Sequence, residues 1–321
     1  MRAPALAVLL SLPLSPAVAE PLPLDVERIE TFAIAGPDEP GGPLEFLGGI
    51  RLTSSNRDFG GLSGIEVLEG DVAFMVSDTG RLVRATLVHE NGRLVGIAEA
   101  EIDSLYPDGN AAKSVSDTED VAFDPDDPTR GVVVRERQAN AMLTFEMSGG
   151  NPANFQPKTV GAADRILRSN KGLESVAYAP AASPVAGEIV AIGEAPPPGS
   201  RHIPGWVAGV GAFEIVAHDD FEISSARFLP DGDLVLLERR YIPAWGIDAR
   251  LRRIPGESVE AGSLLDGDYI FDAGMTSQID NFEGLAVHRD EAGRTILTLV
   301  SDDNFSLLQR TLILQFALSD D

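Results

Sequence analysis

Glu283-Gly284-Leu285-Ala286-Val287, followed by an apolar run over Thr295–Val300, is the last of five copies of one short unit. The others open at Ser63-Gly64-Ile65-Glu66-Val67, Glu119-Asp120-Val121-Ala122-Phe123, Glu174-Ser175-Val176-Ala177-Tyr178 and Ser224-Ser225-Ala226-Arg227-Phe228. Each opening run passes through turn residues, such as Glu69-Gly70-Asp71 or Pro230-Asp231-Gly232-Asp233, into a second apolar run. These second runs are Val72–Val76, Gly131–Val134, Glu188–Ile192, Leu234–Leu237 and Thr295–Val300. They are too short for helices and rich in leucine and β-branched residues, so they read as strands. A third run, such as Leu82–Val88 or Ala141–Met147, usually follows.

A unit of about 50 residues built this way predicts an all-β fold, a β-propeller with about four antiparallel strands per blade. Five units suggest five blades. The unassigned run Val26–Ala35 and the longer third and fourth units leave a sixth open. The last unit lacks a fourth strand, and Leu44–Leu52 is placed to supply it and close the ring. A β-sandwich would not account for so regular a repeat.

Residues 1–19 read as a signal peptide, with Arg2, an apolar stretch over Ala3–Leu14, and the small-x-small pattern Ala17-Val18-Ala19. Residues 20–43 form an N-terminal extension and 44–321 the propeller domain. The expected location is therefore periplasmic or secreted, after cleavage near Ala19. The chain contains no cysteine, which excludes disulfides, thiolate metal sites and a cysteine nucleophile. Its formal charge of −25 argues against nucleic acid and anionic lipid as partners and favours cations. No segment after the leader is long and apolar enough for membrane insertion. Oligomeric state is not legible.

The repeat also sets out acids. Glu119, Glu174 and Glu283 open their units, and Asp78, Glu136, Glu194, Glu238 and Asp302 follow the second strands. In an antiparallel pair the start of one strand lies beside the end of the next, so both sets should meet at one mouth of the central channel. Oxygen ligands without cysteine or paired histidines suit Ca²⁺ or Mg²⁺. Asp78, Glu119, Glu174, Glu283 and Asp302 are the expected ligands. Ion pairing with Arg81, Arg137, Arg239 or Arg240 is the alternative. Trp206, Tyr241 and Trp245 lie in insertions that could overhang the channel.

Several segments resemble the phytase-like family, also called "esterase-like activity of phytase". They are Asp280-Asn281-Phe282-Glu283-Gly284-Leu285-Ala286, Val300-Ser301-Asp302-Asp303-Asn304-Phe305, Phe59-Gly60-Gly61-Leu62-Ser63-Gly64, Ser77-Asp78-Thr79-Gly80-Arg81 and Asn170-Lys171-Gly172-Leu173-Glu174. The resemblance implies an exported propeller related to calcium-dependent phytases, hence a Ca²⁺-dependent hydrolase of phosphate esters or related esters. On that footing Arg81, Arg137, Lys171 and Arg239 would hold a small anionic or ester substrate, and Glu136 or Glu238 would act as the general base. A non-catalytic periplasmic binding propeller with a structural cation and a lactonase-like calcium propeller are the competing expectations.

Overall fold

The computed structural model describes residues 19–35, 42–106, 116–136, 142–161, 172–243 and 246–319. Three N-terminal strands, β1 (Glu20–Pro21), β2 (Leu24–Ile29) and β3 (Leu44–Ser54), precede the repeat. The first blade consists of β4 (Leu62–Leu68), β5 (Val72–Ser77), β6 (Arg81–Glu90) and β7 (Arg93–Ser104). The second has β8 (Thr118–Asp124), β9 (Asp127–Arg135), β10 (Met142–Ser148) and β11 (Asn151–Pro157). The third has β12 (Leu173–Tyr178), β13 (Ile189–Gly193), β14 (His202–Val207) and β15 (Gly211–Val216). The fourth has β16 (Glu222–Phe228), β17 (Leu234–Ile242), β18 (Gly246–Ile254) and, after the short β19 (Leu264–Leu265), β20 (Asp268–Ala273). The fifth has β21 (Phe282–Arg289), β22 (Thr295–Ser301) and β23 (Thr311–Leu318), completed by β3.

The ring closes where the sequence suggests. β3 pairs antiparallel with β23, Ile313 opposite Ile50 and Leu318 opposite Leu44. β2 is then the outer strand of this same blade, so the Val26 region does not begin a sixth. The propeller has five blades. β1 pairs with β7 of the first blade, and β19 pairs parallel with β15 of the third, so two short strands bind neighbouring blades together. Among the described residues no helix is long and apolar enough to cross a membrane.

The hydrophobic core is divided into one layer per blade interface. Phe32, Phe46, Phe271 and Phe316 pack together between the fourth and fifth blades, with ring centroids 5.3–5.6 Å apart. Val76, Phe123 and Phe145 fill the interface of the first and second blades. β22 and β23 are buried at every position, and the polar Gln315 and Thr298 within them bond to each other at 3.1 Å. Trp206 belongs to the core between the second and third blades, so it packs inside and does not overhang the channel. Tyr241 is exposed near the end of β17, and Trp245 lies outside the described residues.

A single side chain crosses the axis. From the fourth blade, Arg227 Nη1 and Nη2 donate to Asp120 Oδ2 and Oδ1 of the second, each at 2.8 Å. Its Nε donates to Glu66 of the first blade at 2.8 Å. The same guanidinium donates to four backbone carbonyls, Ile65 (3.2 Å), Val121 (2.5 Å), Val176 (2.9 Å) and Ala226 (2.8 Å). These four residues occupy the same position in four successive inner strands. Burial works against the Arg227 charge, but Asp120 and Glu66 outweigh it and its pKa ends above the usual value. Burial pushes Glu66 up to about 7 although Arg227 pulls the other way.

Removing one member of a buried, hydrogen-bonded ion pair leaves the other charge without compensation, at a cost of about 3–5 kcal/mol. Arg227→Met is therefore expected to lower the unfolding free energy by about that much in a denaturant titration. A loss below about 1 kcal/mol, the range of an exposed pair, would show that the axial arginine does not hold the blades.

Candidate metal centre

Every inner strand carries a β-bulge at its first turn toward the mouth. The pairing shifts register between Leu62 and Gly64, Thr118 and Asp120, Leu173 and Ser175, Ile223 and Ser225, and Phe282 and Gly284. The residues left over are Ser63, Glu119, Glu174, Ser224 and Glu283. A bulge re-aims the side chain it carries, and here it does so five times around one axis. Two of the five side chains are used to join blades: Ser63 Oγ donates to Thr118 O at 2.6 Å and Ser224 Oγ to Phe282 O at 2.9 Å. The other three are carboxylates.

The second ring follows from the same register. Leu62 faces Ser77, Thr118 faces Arg135, Leu173 faces Gly193, Ile223 faces Glu238 and Phe282 faces Ser301. The next residues are Asp78, Glu136, Glu194, Arg239 and Asp302. The fourth-blade member of this ring is therefore Arg239 and not Glu238, a correction of one residue to the sequence alignment. Successive residues of a strand point to opposite faces, and that single step sends Glu238 elsewhere. Glu238 is buried, with Arg250 Nε at 2.7 Å and Arg252 Nη2 at 2.5 Å, and the structure does not bring it to the mouth.

Seven carboxylates thus stand in the two rings against one guanidinium. Arg239 Nη2 lies 3.1 Å from Glu283 and 3.8 Å from both Glu174 and Glu194. Arg239 Nη1 donates to Asn281 Oδ1 at 3.3 Å, and Asn281 Nδ2 donates to Glu283 at 2.8 Å. This offsets part of the negative charge on the side of the mouth formed by blades three to five.

The opposite side, on the second blade, gathers three carboxylates. Asp117, Glu119 and Glu136 place one carboxylate oxygen each within 4.8 Å of the others, a group able to hold a metal ion. Burial lifts the Glu119 pKa well above the ordinary carboxylate value, and repulsion from Asp117, Glu283, Glu136 and Asp78 adds to it. Burial likewise lifts Glu174, with Glu119, Glu194 and Glu283 adding and Arg239 subtracting. Glu283 is raised by burial, moderated by Arg239 and Asn281. Asp302 is pushed up to about 7, chiefly by burial. Two carboxylates ~4 Å apart repel by about 4 kcal/mol at an effective dielectric of 20. Protons, cationic side chains or a bound cation relieve such repulsion. Three hard oxygen donors with no sulfur or imidazole among them fit Ca²⁺ or Mg²⁺.

The expected ligands Asp78, Glu119, Glu174, Glu283 and Asp302 are brought together at the mouth, as their mutual electrostatic influence shows. Glu136 arrives as a neighbour of Glu119, in position to be a ligand. Arg81 sits nearby but its guanidinium pairs with Asp58 at 2.7 Å. Arg137 and Lys171 lie outside the described residues. Asp117 is an addition. Its spacing of two from Glu119 at the start of a strand was the available signal, since alternate residues share a side.

Gly61 explains how tightly the mouth is built. Its φ of +62° suits glycine, and a Cβ there would collide with the Asp78 carboxylate. Its N–H donates to Asp303 at 3.0 Å, and its carbonyl accepts from Asp78 N at 2.9 Å.

A model of the phytase-like family, described as esterase-like activity of phytase, matches residues 57–305. The chain belongs to the phytase-like family. The matched span reaches from the glycine pair beside Asp78 to the loop after Asp302 and so contains every ring residue. No curated protein matches the chain. Among solved structures, the Pan2 WD40 domain of Neurospora crassa is similar at TM-score 0.40 and 8% identity, covering 87% of this chain and 96% of that one. A chain of the COPII outer coat vertex on membranes gives TM-score 0.40 and 13% identity, covering 80% and 65% respectively. Likenesses this distant do not bear on function.

The raised carboxylates fix a pH dependence. The folded protein holds these protons more tightly than the unfolded chain, so their contribution to stability is full below the ordinary value and is lost as pH climbs through about 7. His288, pushed down to about 4 by burial, acts in the opposite sense only up to its ordinary value of 6.5. The melting temperature of the chelator-treated protein should therefore fall between about pH 4.5 and 7, where the raised carboxylates outnumber the single opposing His288, and millimolar Ca²⁺ should flatten the slope. A flat or rising metal-free profile would contradict this electrostatic account.

Proposed function

We propose that this phytase-like propeller is an exported, divalent-cation-dependent hydrolase of phosphate esters or related esters. The observation that supports it most is the Asp117–Glu119–Glu136 group, three converging oxygens at the channel mouth of a chain in this family. All three residues flank or belong to β8 and β9 of one blade. A cation held there does not staple two blades together, which favours a ligand-facing role over a structural one.

Asp117, Glu119 and Glu136 hold the cation, Ca²⁺ by preference. It supplies Lewis-acid polarisation of a phosphoryl or acyl oxygen and acidifies adjacent water. Burial raises Glu174 and Glu283 above the ordinary carboxylate value, and both stand at the mouth as candidates for proton transfer. Arg239 orients both through its bonds to Glu283 and Asn281 and leaves part of its charge to an anionic substrate. The axial Arg227 closes the channel below, so substrate enters and leaves through the one mouth. Export is supported by the leader, and β1 begins at Glu20, the residue that cleavage after Ala19 leaves first.

Calorimetric titration of chelated protein with Ca²⁺, alongside assays on phosphate monoesters, carboxylic esters and lactones, tests the reading. Glu119→Gln and Glu136→Gln should each weaken Ca²⁺ binding at least about 10-fold, the smaller cost usual even for outer-shell partners, and abolish metal-dependent turnover. Glu238→Gln should lower stability and leave Ca²⁺ affinity unchanged. Turnover that needs neither metal nor Glu119 would reject the mechanism. Tight Ca²⁺ binding with no turnover on any ester would favour a binding propeller.

A further inference from the structure

Phe305, Leu307 and Leu308 stand exposed in the loop joining β22 to β23, and the two leucines are almost wholly in solvent, at 104% and 93%. A lone exposed leucine needs no explanation, but three large apolar side chains within four residues form a patch. The loop that carries them is held. The Asp303 carboxylate accepts from Gly61 N (3.0 Å), Phe305 N (3.1 Å) and Thr311 Oγ1 (3.1 Å). Arg310 donates to Asp280 (3.1 Å), Gln278 (2.9 Å) and Ile279 O (2.6 Å). Asn304 and Phe305 both adopt left-handed φ, +47° and +51°, a conformation that a bulky aromatic rarely takes without support.

The patch adjoins the carboxylate well. The Phe305 ring lies against Gly60 and Gly61, and a Cβ on Gly61 would sit 2.8 Å from Phe305 Cε2 while colliding with Asp78. The aromatic edge and a well carboxylate thus flank one backbone atom. Asp78 stands in the same outer carboxylate ring as Glu136 of the metal group, so this rim borders the mouth that holds that group.

We propose that Phe305, Leu307 and Leu308 form an apolar subsite for the hydrocarbon part of an amphiphilic ester whose polar head occupies the well. This rests on the hydrolase reading and names its substrate class. Phe305 borders the Asp78 side of the mouth, and Leu307 and Leu308 follow it in the same loop, so one small molecule spans the carboxylates and this loop. The charge of −25 turns away anionic membranes.

The test is calorimetric binding of methyl, butyl and hexyl phosphate, and of neutral hexanol, to the Ca²⁺-loaded protein and to Leu307→Ser/Leu308→Ser. The wild type should bind hexyl phosphate at least about 10-fold more tightly than methyl phosphate, a fraction of the gain from fully burying the added methylenes. The double variant should bind methyl phosphate unchanged and lose the chain-length effect, with its melting temperature preserved. Equal affinities across the series, or a chain-length effect that survives the substitutions, would overturn the assignment. Hexanol binding that the double variant loses, with no methyl phosphate binding at all, would sink the hydrolase reading and leave the subsite standing. Variant-sensitive dimerisation or adsorption to phosphatidylcholine vesicles, without any chain-length effect, would give the patch to another occupant and overturn the proposal.

Discussion

One guanidinium on the propeller axis organises the rest of the molecule. A closed ring of radial sheets points backbone carbonyls of its inner strands toward the centre, where no further strand can pair with them. Buried carbonyls without donors are costly, and a ring of them attracts positive charge. Arg227 meets both needs at once, bonding four carbonyls and bridging Asp120 and Glu66. With its own cation fixed there, the axis has no need of a metal. Among the described residues, the group able to hold a metal ion lies at the mouth instead.

The mouth itself is a product of repetition and of its breaks. Five bulges aim five side chains, and the same register aims five more just outside them. Where serines replace glutamate, their hydroxyls tie adjacent inner strands, and where arginine replaces an acid, its one charge is shared among three glutamates. The surviving excess of negative charge is concentrated on the second blade. A quasi-symmetric fold thereby makes an asymmetric site by single substitutions at equivalent positions.

Much of this was legible in the sequence because a propeller blade is short and its signals are local. The spacing of the units and the apolar second strands read directly, since each depends on neighbours in the chain, and the closing strand at Leu44 followed from the strand that the last unit lacks. The bulge residues Glu119, Glu174 and Glu283 also emerged correctly. The second ring was misread in one blade because strand direction alternates at every residue, and the sequence does not show where Ile223 finds its partner. Glu238 looked like a ring acid until the register made Arg239 its successor. Trp206 looked like an overhang because its unit is long, but the extra length lies in loops while β14 is an ordinary buried strand. Asp117 went unnoticed beside the stronger repeat.

Arg227 was invisible as a functional residue for a different reason. Apart from the adjacent Ala226, its partners come from Ile65, Glu66, Asp120, Val121 and Val176, each more than fifty residues upstream, and only ring closure brings them together. Diffraction from crystals grown with Ca²⁺ or Mn²⁺ tests the central claim most directly. The account predicts a cation peak bound by Asp117, Glu119 and Glu136, with Ca–O distances of about 2.3–2.6 Å. A mouth without density in cation-soaked crystals, or a cation seated elsewhere in the molecule, would contradict it.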